Sequence, residues 1–196
     1  MFNMNDMYFK EILREKLDDY RYQHSLCVAD EAARLAIKYG ADKDAAYLAG
    51  LLHDITKKAS REEHLKIFGD FDIILTDVEK SADKLWHAMS GALYVKNNLK
   101  IENDEIISAI RYHTTAKKNM TLLEKVLYLA DFTSADRNYD DVEVMRRFVD
   151  LNMEDAMAYS LKYTITELTG YGSAIHPDTL EAYNEVILAI KNRGEK

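Results

Sequence analysis

The run Leu48-Ala49-Gly50-Leu51-Leu52-His53-Asp54-Ile55-Thr56-Lys57 constrains this chain more than any other stretch. Leu48, Leu51, Leu52 and Ile55 repeat at i, i+3, i+4 and i+7, the signature of one apolar helix face. Gly50, His53, Asp54 and Lys57 fall on the opposite side. A solvent-facing turn would carry Glu or Lys at position 50, because a mid-helix glycine costs up to about 1 kcal/mol relative to alanine. The helix is therefore expected to meet another backbone closely at Gly50. His53 and Asp54 beside it offer a nitrogen and an oxygen donor suited to a divalent metal.

The remaining chain reads as helical. One proline and seven glycines in 196 residues leave little material for turns, and no long strand-like alternation appears. The length allows one domain, or at most two small ones, with a real core. No repeat, low-complexity tract or linker divides residues 1–196, so a single domain is the simplest reading. A net charge of −8 makes a nucleic-acid surface improbable. Any anionic substrate needs a local basic patch or a metal. The single cysteine, Cys27, excludes an internal disulfide and fits a reducing compartment. Met1–Asp6 has no basic region followed by an apolar run, and no stretch reaches membrane length. A cytoplasmic protein without a membrane partner is expected.

Taken in order, the pattern predicts helices over about 6–17, 20–39 (ending at Gly40), 42–56, 61–68 (ending at Gly69), 82–98, 104–113, 121–132, 152–168 and 177–192. Residues 70–76 read as a loop, and no element is assigned between Phe132 and Asn152. Thr121 and Glu124 form a capping box, and Pro177 suits a first helical position. On the second helix His24 shares a stripe with Val28, Ala32, Leu35 and Tyr39, so it points inward. On the 121–132 helix a carboxylate, Asp131, ends the stripe of Leu123 and Leu127.

His24, His53, Asp54, His87, His113 and Asp131 are thus the candidate ligands, on different helices except for the adjacent pair. Singly, each has an ordinary explanation. A lone buried histidine usually bonds a backbone carbonyl, and an aspartate often caps a helix. Together, four of the six histidines and two aspartates at inward or flanking positions point to a site. An unpaired buried carboxylate costs several kcal/mol at least, a cost that a metal removes. His64, among Glu62, Glu63 and Lys66, and His176, in a loop, are expected at the surface. Cys27 is expected to pack as a small apolar group. Basic residues recur beside the ligands: Arg21, Lys57, Lys58, Lys84, Arg111, Lys117, Lys118 and Arg137. In an acidic chain that recurrence suggests phosphate binding near a metal, and hydrolysis of a phosphate ester or anhydride is the natural chemistry.

The ordered set resembles the HD-domain metal-dependent phosphohydrolases, and more narrowly the YqeK group of symmetrical diadenosine tetraphosphate hydrolases. The matching segments are Arg21-Tyr22-Gln23-His24-Ser25 with Val28, and Ala49-Gly50-Leu51-Leu52-His53-Asp54-Ile55 with Lys57. His87-Ala88 with Gly91, Ala109-Ile110-Arg111-Tyr112-His113-Thr114, and Tyr128-Leu129-Ala130-Asp131 with Arg137 continue the match. It closes on Ile175-His176-Pro177 with Thr179 and Asn184, so the motif-bearing core spans about 20–185.

The resemblance implies an all-α HD-domain bundle with the metal site between helices. It also implies an iron centre held by His24, His53, Asp54 and Asp131, with manganese, cobalt or magnesium as alternatives and one or two ions. The expected reaction is diadenosine tetraphosphate plus water giving two ADP. Asp54, Lys57, His87 and His113 are then the catalytic candidates, with His87 and His113 at the phosphates or at a second metal. Arg21, Lys57, His87, Arg111, His113, Arg137 and Tyr171 are the nucleotide-contact candidates. One segment departs from the group, which carries an Ile-Glu-Pro-type run after its Ala-Asp; here Phe132-Thr133-Ser134-Ala135-Asp136 stands before Arg137. Two further readings follow from the residues: a nucleotidase acting on mononucleotides, and a nucleotide-binding regulator without turnover. The sequence leaves a homodimer open.

Overall fold

Eleven α-helices and no strand make up the described residues, 3–194, of the computed structural model. The reading of Met1–Asp6 as lacking a targeting signal falls partly outside them. In order the helices are α1 (Asn3–Lys16), α2 (Asp19–Tyr39), α3 (Lys43–Leu52), α4 (Arg61–Asp70), α5 (Asp77–Ser81) and α6 (Trp86–Asn97). They continue with α7 (Asp104–Tyr112), α8 (Leu122–Thr133), α9 (Val142–Leu151), α10 (Met153–Gly170) and α11 (Pro177–Gly194). A single 3-10 turn, Asp83–Leu85, leads into α6.

Local chemistry sets most of these ends. Asp18 and Asp42 cap α2 and α3 by accepting backbone N–H groups, and Gly40 ends α2 in the left-handed region at φ 81°. The Thr121–Glu124 capping box starts α8 as expected, and Ser60–Glu63 and Thr76–Glu79 repeat the device at α4 and α5.

The bundle is organised around α2, which packs on α3 and α8, while α3 also meets α7 and α8. Val28, Ala32, Leu35 and Ala36 of α2 are fully buried against Ala46, Ala49, Leu51, Leu52 and Leu127. The close approach expected at Gly50 is the α2–α3 crossing. A Cβ there would lie 2.8 Å from the Ala29 Cα and 2.9 Å from the Val28 carbonyl oxygen.

Three expectations are corrected. The helix expected over 42–56 stops at Leu52, and residues 53–58 form tight turns with Ile55 N–H on the Leu52 carbonyl and Lys57 N–H on the Asp54 carbonyl. The His53 ring competes for the end of that helix by donating to the Gly50 carbonyl at 2.7 Å. The helix expected over 82–98 begins only at Trp86, and α5 lies before it. Finally, α9 occupies a stretch to which no element was assigned. Val142, Met145 and Val149 bury its narrow apolar face, and the many charges between them mask that period in the sequence.

Because backbone atoms of α2 stand in the way, Gly50→Ala is expected to cost about 1–3 kcal/mol by overpacking, lowering the thermal midpoint by about 2–4 °C per kcal/mol. Gly69, on α4, has no atom within 4 Å of its would-be Cβ, so Gly69→Ala is expected to hold or raise the midpoint. Equal midpoints for the two variants would show that the helix crossing is not the constraint.

Candidate metal and phosphate site

Five separate segments bring the polar cluster together. His24 sits on the buried stripe of α2, and Asp131 ends the stripe of α8. His53 and Asp54 follow α3 directly, His87 lies in the first turn of α6, and His113 caps α7. All four histidines and Asp54 are at most 3% exposed.

The backbone assigns the proton on each ring. Nδ1 of His53, His87 and His113 lies 2.7–2.8 Å from the carbonyl oxygen three residues earlier, on Gly50, Lys84 and Ile110. A carbonyl only accepts, so each Nδ1 donates and each neutral Nε2 is left as a lone pair. His24 is locked similarly by a carboxylate, with Nδ1 2.8 Å from Asp136 Oδ2.

These Nε2 atoms converge on acceptors. His24 Nε2 is 3.0 Å from Asp131 Oδ1, and His87 Nε2 is 3.1 Å from both Asp54 Oδ1 and His113 Nε2. His53 Nε2 and Asp54 Oδ1 are buried without a hydrogen-bond partner. Acceptors facing acceptors in a buried space repel unless a cation joins them, so this donor set fits a divalent metal. Two overlapping groups have ligand atoms within 4.8 Å of one another and could hold one: His24, His53 and Asp131, and His53, Asp54 and His113.

Burial pushes the Asp54 carboxyl up, but His53, His87 and Lys57 outweigh it and hold the group well below the usual carboxylate range. Asp131 behaves alike, with Arg137 and His24 overcoming burial. Burial, with His53 and His87 nearby, drives His113 well below the usual histidine value. The carboxylates are therefore ionised and burial keeps His53 and His113 neutral, the forms that coordinate metals, whereas at His24 burial is outweighed by Asp131 and Asp136, which push it up.

Cations close one side of it. Arg21 donates to Asp54 Oδ2 at 3.1 Å, while Lys57 Nζ is 3.5 Å from Asp54 Oδ1 and 3.0 Å from His87 Nε2. Arg137 is bound to Asp131 through both its carboxylate and its carbonyl. Of the other two nucleotide-contact candidates, neither bonds a residue of the cluster among the described residues. Arg111 is paired with Glu79 at 3.1 Å, and Tyr171 is 80% exposed at the end of α10.

Asp136, which sequence reasoning passed over, belongs to the segment that departs from the family pattern. Ser134 donates to its other oxygen at 2.8 Å. Arg146 of α9 holds the loop from outside, donating to the carbonyls of Thr133, Ser134 and Arg137. An acidic residue close before the basic Arg137 was the only available signal, and local sequence does not tie it to His24, 112 positions away.

Two histidines expected at the surface are buried, at 7% exposure for His64 and 8% for His176. His64 packs against Phe68 and Trp86 and bonds Ser90, and His176 lies 3.6 Å from Glu79. The charged neighbours of His64 in sequence occupy other sides of α4, which is why they misled. Cys27 is half-buried and burial pushes its thiol up, as suits a packing role.

The HD domain family matches residues 21–136, the span that carries every residue of this cluster. The chain belongs to the HD domain family. Its relatives narrow the placement. The Halalkalibacterium halodurans protein named symmetrical bis(5'-nucleosyl)-tetraphosphatase is 36% identical over 92% of this chain and 96% of its own length. The Bacillus subtilis protein of the same name is 32% identical over 89% of this chain and 94% of its own. A crystal structure from Clostridium acetobutylicum, described as a predicted HD superfamily hydrolase involved in NAD metabolism, superposes with a TM-score of 0.90. That protein is 33% identical, and the match covers 93% of this chain and 97% of the other.

Loss of an acceptor behind a ligating histidine typically weakens metal binding about 10–100-fold. Asp136→Ala is expected to do so here, measured by calorimetric titration of manganese(II) into protein stripped of metal. Unchanged affinity would mean that Asp136 does not set the His24 ring.

Proposed function

We propose that this protein hydrolyses diadenosine tetraphosphate symmetrically to two ADP, using a divalent metal, iron foremost, held by His24, His53, Asp54 and Asp131. The observation that carries the reading is the convergence of unprotonated Nε2 atoms and ionised carboxylates beside Arg21 and Lys57. The names of the relatives supply the substrate. One continuous core runs from Phe9 to Val186, which supports the whole chain acting as one HD domain.

Attack by water on the second phosphorus forms one P–O bond and breaks the bond to the oxygen bridging it to the third. The electron pair leaves on the outgoing ADP, and a proton of the water passes to solvent. A bound divalent ion supplies Lewis-acid polarisation and a lower pKa for the attacking water. Asp54, buried and ionised, orients that water through Oδ1. Lys57 and Arg21 face the charge that gathers on the phosphates. His87 and His113 sit beside Asp54 at 3.1 and 3.8 Å, placed to meet a phosphate oxygen or to complete a second ion's shell.

Purified protein given diadenosine tetraphosphate anaerobically with iron(II), manganese(II) or cobalt(II) is expected to yield ADP as the only nucleotide, resolved by chromatography. Asp54→Ala is expected to lower kcat/KM by at least about 1000-fold, a loss of about 4 kcal/mol in transition-state stabilisation. AMP plus ATP as products, or no turnover with any of the three metals, would overturn the reading. Phosphate release from mononucleotides, or tight ADP binding without hydrolysis, would establish the nucleotidase or the regulator in its place.

A further inference from the structure

Beside the cluster lies a groove of about 440 Å³ whose outer part the reaction so far leaves unused. Arg21, Lys57 and His87 form its inner end, and Arg61, His64 and Lys84 form its outer part. Its size falls within the roughly 300–1,000 Å³ of small-molecule sites. Resting on the reading above, we propose that this groove receives one nucleoside diphosphate half of the dinucleoside tetraphosphate, with Arg61 and Lys84 as phosphate-binding residues and His64 as an acceptor for the nucleoside.

Charge is the first support. Arg21 and Lys57 are engaged with Asp54. Arg61 and Lys84 make neither an ion pair nor a side-chain hydrogen bond among the described residues. Asp83 is the only carboxylate lining the groove. The guanidinium of Arg61 lies 4.8 Å over the ring of Trp86, which holds it in place without neutralising it. Two free cations join the inner pair to make one basic track leading to Asp54, in a protein whose net charge is −8. An anion of several charges extending away from the metal cluster matches that track.

His64 is the second, independent support. Thr56 spends its one hydroxyl proton on the His87 carbonyl at 2.9 Å. Ser90 must then donate to Thr56 across 2.8 Å, so the His64 Nδ1 donates to Ser90 across 2.8 Å. That leaves the His64 Nε2 as a lone pair; it has no partner among the described residues and is not among the sealed buried atoms. Burial pushes this histidine down, which keeps it neutral. The groove thus offers cations along its length and, in its outer part, one neutral acceptor, matching a nucleoside diphosphate that carries charged phosphates and hydroxyl or amino donors. The chain Thr56–Ser90–His64 also ties this wall to the His87 backbone, so the two parts of the site are held in register.

Trp86, the only tryptophan, reports on the groove directly. In the metal-loaded enzyme, ADP is expected to change Trp86 emission. The exposed double variant Arg61→Ala/Lys84→Ala is expected to raise both the ADP dissociation constant from that signal and the KM for diadenosine tetraphosphate about tenfold, about 1.4 kcal/mol. Its kcat is expected to stay within about twofold, since lost uniform binding appears in KM alone. Lys43→Ala/Lys162→Ala, which removes the same charge from exposed positions outside the groove, is expected to leave KM unchanged. Equal KM rises in both double variants, or an unaltered KM and ADP affinity in the first, would overturn the groove assignment while ADP production by the wild type stands. Absence of ADP production by the wild type would instead remove the underlying reading.

Discussion

The repulsion among acceptors at the centre of the bundle governs the rest of the structure. Three histidines donate Nδ1 to the carbonyl three residues back, and a fourth donates to Asp136, so every Nε2 in the cluster turns a lone pair toward Asp54 or Asp131. Nothing in the protein's own hydrogen bonding relieves that arrangement at His53 Nε2 or Asp54 Oδ1. A buried group without a partner costs about 1–3 kcal/mol, and more when charged. The fold must therefore be strong enough to hold the cluster in place. It does so with fully buried apolar stripes on α2, α3, α7 and α8, each ending in or leading to one of the polar residues.

Support also comes from beyond the cluster. The close crossing at Gly50 sets the distance between α2, which carries His24, and the turn that carries His53 and Asp54. Arg146 reaches from α9 to three carbonyls of the loop between Thr133 and Arg137, and that loop delivers Asp136 to His24 and Arg137 to Asp131. The departure from the family pattern after Asp131 is thus accommodated. A serine and an aspartate make the local turn, and a neighbouring helix fixes it. On the opposite wall, Thr56, Ser90 and His64 pass a line of hydrogen bonds from the His87 backbone to the basic groove.

Much of this was legible along the chain. The glycine in the polar face of the 48–57 run announced the helix crossing, because a missing side chain in a helix is a local cost that calls for a nearby reason. His24 and Asp131 were legible as inward-facing because the 3.6-residue period fixes direction from sequence alone. Where the period was diluted by charge, as between Asp140 and Leu151, the helix escaped notice. His64 was misjudged for the same reason: its neighbours at 62, 63 and 66 are charged, yet they occupy other sides of α4.

By itself the sequence determined an all-helical chain, the inward stripes, the ligand types and their order. These depend on local propensity and periodicity, which act over a few residues. Only the tertiary structure decided which nitrogen of each histidine is free, which cations remain unpaired, and that Asp136, 112 positions along the chain, orients His24. Those depend on distances between segments a hundred positions apart. Arg111 illustrates the division: its place beside His113 is legible in the sequence, whereas its ion pair with Glu79 at 3.1 Å is set by the fold. Lys84, noted in the sequence only as one basic neighbour among several, and Arg61, passed over there, are left facing a groove because no carboxylate folds onto them.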